Sequence, residues 1–158
     1  MESNAVMTVR VPFMQGALEI GEVEGYITHV VYVDKITNRP SIESPTLKKV
    51  VHAIDRYASG EKTSFRFRLS VDNYTEFQRE VYCELLRVGW GETITYGELA
   101  EKVGTSARAV GQALKRNRHL IMIPCHRVVS KHSLGGFSYG IWLKKALLEL
   151  EQKKGVGR

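Results

Sequence analysis

The residue periodicity changes once along this chain, near Asp72, and that change limits the fold more than any other feature. Before it, Ser64–Val71 alternates Phe65, Phe67, Leu69 and Val71 with Arg66 and Arg68. A period of two puts apolar side chains on one face of a strand and leaves the other face wet. Gly25–Asp34 (GYITHVVYVD) also reads as a strand, and another is expected around Thr8–Phe13. Between them, Leu47, Val50, Val51, Ile54 and Ala58 fall at helical spacing, with Ser44-Pro45 as the start and Gly60 as the stop. Residues 1–72 are therefore expected to form a small α/β scaffold, and no catalytic constellation stands out in them.

After Asp72 the pattern is of short, punctuated helices. Thr75-Glu76-Phe77-Gln78 has the form of a capping box and opens a helix expected to run to about Val88, where Gly89-Trp90-Gly91 breaks it. Thr95-Tyr96-Gly97-Glu98 is a second capping box, leading a helix with Leu99, Ala100 and Val103 inward and Gly104 as its stop. Thr105 or Ser106 then caps a helix from Ala107 to about Arg116. Two short helices joined by a glycine-containing turn make a helix-turn-helix pattern, though many small bundles contain such a pair. Trp142, Leu143, Ala146, Leu147 and Leu150 mark a final amphipathic helix, and Gln152–Arg158 reads as a frayed basic tail. The expected domains are residues 1–72 and 73–158.

Charge divides at the same place. Residues 1–72 carry nine Lys/Arg and nine Asp/Glu, whereas residues 73–158 carry fourteen and eight, so the net +6 lies wholly in the second half. Seven basic residues and no acidic one lie between Lys102 and Lys131. A neutral segment joined to a basic one fits a contact with a polyanion, and it equally fits a solvated basic face. Composition excludes other classes: 43% hydrophobic and 25% charged residues are incompatible with wholesale disorder. No apolar run approaches the ~20 residues of a membrane helix. The N-terminus lacks the features of a signal peptide, and two cysteines make no disulfide framework, so a reducing compartment is expected.

The residues around Cys125 carry the chemistry. Leu120-Ile121-Met122-Ile123 leads into Pro124-Cys125-His126-Arg127. A cysteine there fits a small buried hydrophobe. It also fits a reactive thiol: positive charge from His126 and Arg127 would lower its pKa, and Pro124 would end any strand and leave the sulfur at the mouth of a pocket. The loop Ser133–Gly140 would wall that pocket. Cys83, mid-helix, reads as structural. Two cysteines and five scattered histidines never reach metal-ligand spacing, so no metal is expected.

Tyr96-Gly97-Glu98-Leu99-Ala100, Ala107-Arg108-Ala109-Val110-Gly111, Asn117, Ile123-Pro124-Cys125-His126-Arg127-Val128 and Gly135-Gly136-Phe137-Ser138 occur together in this order. In this the chain resembles the O6-alkylguanine-DNA alkyltransferases, also called methylated-DNA–protein-cysteine methyltransferases, from about Phe77 to Glu151. The resemblance implies an α/β (α+β) protein: a ribonuclease H-like N-terminal sheet domain and a mostly helical, winged-helix C-terminal domain. It implies that Cys125 accepts an alkyl group from O6 of guanine in a single in-line displacement, with O4-alkylthymine as a further candidate substrate. It further implies that His126 acts through a water as base, that Glu151 orients His126, and that Tyr96 protonates the departing guanine. Asn117 would tie the helix-turn-helix to the active-site loop. The Val128 carbonyl and Ser138 would read the flipped base, with Phe137 and Tyr139 beside it and the bulk of Tyr139 narrowing the pocket.

The same resemblance makes double-stranded DNA containing alkylated bases the partner. Arg108 would fill the gap left by the flipped base, which costs a few kcal/mol to extrude. Small Ala107, Ala109, Gly111 and Ala113 would let the helix enter the minor groove, with Lys115 and Thr95 also on the DNA. The thioether product cannot hydrolyse, so the protein would act once. No cofactor, no zinc and no membrane are implied, and the protein is expected to be a cytoplasmic monomer (nuclear if eukaryotic). Taken singly, Tyr96 fits core packing, Arg108 and Glu151 fit surface charges, and Asn117 fits a helix end. Two rivals differ in kind. A non-catalytic binder of the alkyltransferase-like class replaces the cysteine, and a Cys125–His126 thiol hydrolase has no use for the basic segment.

Overall fold

The structure is a computed structural model that describes residues 5–35 and 37–152; residues 153–158 of the expected basic tail lie outside these. The chain forms two compact units, Met1–Val71 with Arg118–Met122, and Asp72–Asn117 with Ile123–Arg158.

The first unit is a four-stranded sheet with one helix. β1 (Met7–Phe13), β2 (Gly16–Val23) and β3 (Tyr26–Val33) pair antiparallel in sequence order, and β4 (Arg68–Leu69) pairs parallel to β3. β2 was not expected from the residue pattern. It is buried along most of its length, so its Gly16, Gly21, Glu19 and Glu22 break the simple alternation of a half-wet strand. Its turn was the available signal. Glu24 (φ 50°) and Gly25 (φ 85°) form a two-residue hairpin loop with both φ positive, a conformation that favours glycine at the second position. Glu22, 7% exposed, accepts from Gly25 N–H (2.7 Å) and from Ser44 Oγ (2.6 Å). Ser44 in turn caps α1 (Pro45–Ala58) through Leu47 N–H. One carboxylate thus links the hairpin turn to the helix start.

α1 buries Leu47, Val50, Val51, Ala53, Ile54 and Tyr57. Ala58, expected inward, is exposed, and Tyr57 takes the inward position, its ring 6.4 Å from Phe13 and 5.7 Å from Phe65. The expected strand over Ser64–Val71 keeps its alternation but pairs only at Arg68–Leu69. The reason is competition for one edge. Beyond Ile27, β3 is occupied by Arg118–Met122: Val30 N–H donates to Arg118 O (2.8 Å), Leu120 N–H to Val30 O (2.9 Å), and His119 Nε2 to Ile27 O (2.7 Å). These bonds also place Arg118–Met122 in the first unit, a departure from the expected domain of residues 73–158.

The second unit holds α2 (Glu76–Leu85), α3 (Tyr96–Val103), α4 (Ala107–Lys115) and α5 (Ile141–Gln152), with a parallel pair β5 (Ile94–Thr95) and β6 (Val128–Val129). Both capping boxes form: Thr75 with Gln78, and Thr95 with Glu98. α3 stops at Gly104 and Ser106 caps α4. α2 ends before Val88, because Arg87 and Val88 N–H groups bond three residues back and tighten the last turn. Its core gathers Val81, Tyr82, Leu85, Leu99, Val110, Leu143 and Leu147. α5 turns differently from expectation. Leu143, Lys144, Leu147, Leu148 and Glu151 face inward, whereas Trp142 is 41% exposed.

Candidate active site

Pro124 (φ −79°, ψ 64°) sits at the centre of an inverse γ-turn, with Cys125 N–H donating to Ile123 O at 2.7 Å. The chain then winds into a single 3-10 turn, Cys125–Arg127, before entering β6. Cys125 forms part of the lining of a cavity of about 270 Å³. Gly111, Leu114 and Lys115 of α4 line one side, and Gly136, Phe137, Ser138 and Tyr139 of the loop before α5 line another, with Tyr96 and Asn117 completing it.

Asn117 follows the end of α4, and its Nδ2 donates to Ile123 O at 2.8 Å. The side chain also hydrogen-bonds Cys125. The last turn of the helix-turn-helix is therefore fastened to the backbone just before the thiol. Tyr96 begins α3 directly after its Thr95 cap, and its hydroxyl donates to Gly136 O at 3.4 Å. Burial raises the Tyr96 pKa, so the phenol keeps its proton at neutral pH. Gly135 has φ 77°, and a Cβ there would lie 2.8 Å from the Tyr96 ring. The sequence pattern contains this glycine, but only the structure shows that it makes room for Tyr96.

His126 is fully buried, and its Nε2–H donates to Glu151 Oε2 at 2.5 Å. Arg127 Nε donates to the other oxygen of Glu151 (2.8 Å), and Arg127 Nη1 to Val88 O (2.6 Å). Burial pulls the Glu151 carboxyl up, but the His126 and Arg127 bonds outweigh it and hold the pKa at about 2. Burial drives the His126 pKa down against the pull of Glu151, so the imidazole is neutral. With the proton on Nε2 facing an ionised carboxylate, Nδ1 is left as a bare lone pair, buried and without a protein partner.

The expectation that His126 and Arg127 would lower the Cys125 pKa does not hold. One is neutral, the other is committed to Glu151, and burial pushes the thiol up. The larger opposing influences are the Asn117 bond and, after it, the ammonium of Lys144. Lys144 was missed from sequence because a lysine on an amphipathic helix reads as solvent-facing. The signal was its spacing from Leu147 and Leu148, which puts it in the apolar stripe.

Val128 is buried and does not line the cavity; its carbonyl accepts from Lys144 Nζ at 2.6 Å. Phe137 and Tyr139 stand with ring centroids 5.9 Å apart. On α4, Ala107 and Arg108 are exposed and Ala109 is half-buried, while nothing lies within 4 Å of a Cβ built on Gly111. Ala113, expected on the same outer face, is buried and its carbonyl accepts from Tyr82 Oη. Cys83 is mid-helix as expected but exposed, so it is a free surface thiol rather than a packing residue. Among the described residues, no group of three or more His, Cys, Asp or Glu is placed to hold a metal ion, and no helix is long and apolar enough to cross a membrane.

Residues 76–153 match the family model of the 6-O-methylguanine DNA methyltransferase DNA-binding domain. The methylated-DNA–protein-cysteine methyltransferase of Sulfolobus acidocaldarius is 41% identical over 138 residues, 86% of each chain. The chain belongs to the methylated-DNA–protein-cysteine methyltransferases. Solved structures agree with this membership. The O6-methylguanine methyltransferase of Mycobacterium tuberculosis superposes with a TM-score of 0.81 at 32% identity, covering 94% of this chain and 93% of that one. A structure from the same organism in complex with DNA gives 0.77 at 34% identity, covering 92% and 91%. Within the family match fall all the site residues discussed above, from Tyr96 to Glu151.

Proposed function

We propose that this protein repairs DNA by moving an alkyl group from O6 of guanine to the sulfur of Cys125, once per molecule. The observation that carries the assignment is the arrangement beside the thiol: a cavity-lining cysteine next to an imidazole whose Nε2–H is held by an ionised carboxylate and whose Nδ1 is bare. This is the nucleophile–base–orienter logic of covalent catalysis, built on sulfur.

In the proposed step, His126 Nδ1 takes the Cys125 proton through one water. The sulfur electron pair forms the S–C bond as the C–O6 bond breaks, and the bonding pair leaves with guanine. Tyr96, kept protonated by burial, gives its proton to the departing base, and the proton on His126 returns to Tyr96. Cys–SH and O6-alkylguanine thereby become Cys–S–alkyl and guanine, with no net charge created. A thioether has no hydrolytic exit, so each molecule stops after one transfer.

The cavity suits a single base: its 270 Å³ lies just below the ~300–1,000 Å³ typical of drug-sized ligands. An alkyl group at O6 is inside the stack of a duplex, so the nucleotide has to be rotated out. α4 is suited to present DNA with Arg108 as the filler of the vacated gap, and Ala107, Ala109, Gly111, Thr95 and Lys115 as its close neighbours. The α3–turn–α4 pair with β5 and β6 supports a winged-helix reader, and the three antiparallel strands followed by α1 and β4 support a ribonuclease H-like first unit. A monomer working inside the cell completes the proposal.

Intact-mass spectrometry after mixing with duplex DNA containing O6-methylguanine tests it. One added methyl group per chain, mapped to the Cys125 peptide, is expected. An unmodified Cys125, or release of free product in excess of protein, would refute the acceptor role.

A further inference from the structure

Among the described residues Lys144 is the only lysine with no exposure to solvent. Its Nζ donates to Val128 O (2.6 Å) and Gly136 O (3.0 Å), and lies 5.6 Å from the Tyr96 ring centroid and 6.0 Å from that of Phe137. No carboxylate pairs with it among the described residues. Two carbonyls and two ring faces offset only part of the cost of burying a full charge. Gly136, Tyr96 and Phe137, which hold the ammonium on one side, line the cavity that Cys125 also lines, and Val128 on the other side opens the strand that directly follows the turn carrying Cys125.

We propose that Lys144 is the electrostatic partner of Cys125, a positioning residue behind the pocket wall whose ammonium stabilises negative charge on the sulfur before transfer and on the departing guanine during it. This inference rests on the reading of Cys125 as the alkyl acceptor. The two carbonyl bonds give the charge a fixed place, because they join the strand after Cys125 to the loop bearing Phe137. A preorganised charge of this kind costs no reorganisation when the sulfur ionises. It also accounts for a thiol that burial alone would leave inert.

The titratable groups around Lys144 are Cys125 and Tyr96, with His126 and its Glu151–Arg127 pair beyond them. Burial brings the Lys144 pKa down to about 8, with Cys125 acting in the opposite direction. Its charge is therefore present at neutral pH and is lost within an accessible range. Thiol and ammonium titrate as a coupled pair, so the pH profile belongs to both.

The test compares wild type, Lys144→Met and Lys144→Arg, all in a Cys83→Ser background that removes the exposed thiol. Two rates are followed by mass spectrometry between pH 5.5 and 10: benzyl transfer from free O6-benzylguanine, and carboxamidomethylation of Cys125 by iodoacetamide. For Lys144→Met, both rising limbs should move up by about one pH unit or more, with a tenfold or greater loss at pH 7. Lys144→Arg keeps a charge that does not titrate, so its benzyl transfer should hold a plateau above pH 8, where wild type declines. A Lys144→Met profile parallel to wild type, whatever its height, overturns the proposal, because a purely structural lysine lowers the rate without moving the limb. If Lys144→Met does not fold, an arginine variant that declines above pH 8 as wild type does overturns it equally. A wild type that reacts with iodoacetamide but never gains benzyl defeats the acceptor reading instead, and the iodoacetamide profiles still decide the role of Lys144.

Discussion

Replacing Glu151 by glutamine keeps the side-chain shape and removes its charge, and the structure sets the size of the effect. The carboxyl is 3% exposed and accepts from His126 Nε2 and Arg127 Nε. Its pKa is about 2, against an ordinary 4.5. A folded-state pKa below the unfolded one means that the unfolded chain binds more protons between the two values, so stability rises with pH there. The contribution is complete above about pH 4.5 and is lost as pH falls through about 2. At ~1.36 kcal/mol per pH unit, the gap corresponds to about 3 kcal/mol at pH 7. At pH 3 the same linkage leaves about 1 kcal/mol.

Urea unfolding of both proteins at pH 7 and pH 3 measures this directly. Burial keeps His126 neutral in the folded state, so acid destabilises both proteins through it, and the informative quantity is their difference at each pH. That difference should shrink by about 2 kcal/mol between pH 7 and pH 3. A difference that does not change with pH would refute the claim that an ionised carboxylate holds this imidazole. The same variant should transfer alkyl groups more slowly from free O6-benzylguanine at pH 7. A glutamine accepts the Nε2 proton but stabilises a protonated imidazole less than a carboxylate does.

Cys125→Ser should bind methylated duplex DNA yet gain no methyl mass, and transfer by this variant would end the acceptor assignment. Arg108→Ala should slow repair of duplex DNA well over tenfold more than it slows reaction with free O6-benzylguanine; equal losses in the two assays would remove its gap-filling role. Gly135→Ala should cost about 1–2 kcal/mol from the positive φ alone, and more from the contact at 2.8 Å with Tyr96. Its thermal midpoint and benzyl transfer should fall together, and a neutral result in both would mean that this loop and Tyr96 are not tightly packed.

What could be read from residues alone was what closes over three or four positions. A capping box is a bond between a side chain and a backbone N–H three residues away, so Thr75–Gln78 and Thr95–Glu98 announced α2 and α3 without help from the rest of the chain. β4 could not be judged this way. Its length is set by Arg118–Met122, some fifty residues later, occupying the rest of the β3 edge. β2 was hidden because a strand buried on both faces lacks the alternation that marks a half-wet one, although Glu24-Gly25 marked its turn.

The site shows the same division between local and distant causes. Cys125, His126, Tyr96 and Asn117 were found through motif order, and the structure brings Cys125, Tyr96 and Asn117 to one cavity with His126 bonded to Glu151 beside it. The electrostatic expectation failed because it counted charges along the chain. Arg127 is adjacent to His126 in sequence but commits its charge to Glu151, twenty-four residues away, while Lys144, nineteen residues beyond Cys125, supplies the positive charge that, after the Asn117 bond, opposes burial of the thiol. In a buried site desolvation sets the sign of the thiol's shift, and what opposes it depends on which cations lack a closer anion. That is fixed by α5, whose stripe of Leu143, Leu147 and Leu148 carries Lys144 and Glu151 inward together, one toward the pocket wall and one toward the imidazole. A single helix thereby supplies both the anion that orients the base and a cation held by the thiol's cavity wall, so shifting its register by one residue would uncouple both from Cys125 while leaving every motif residue in place.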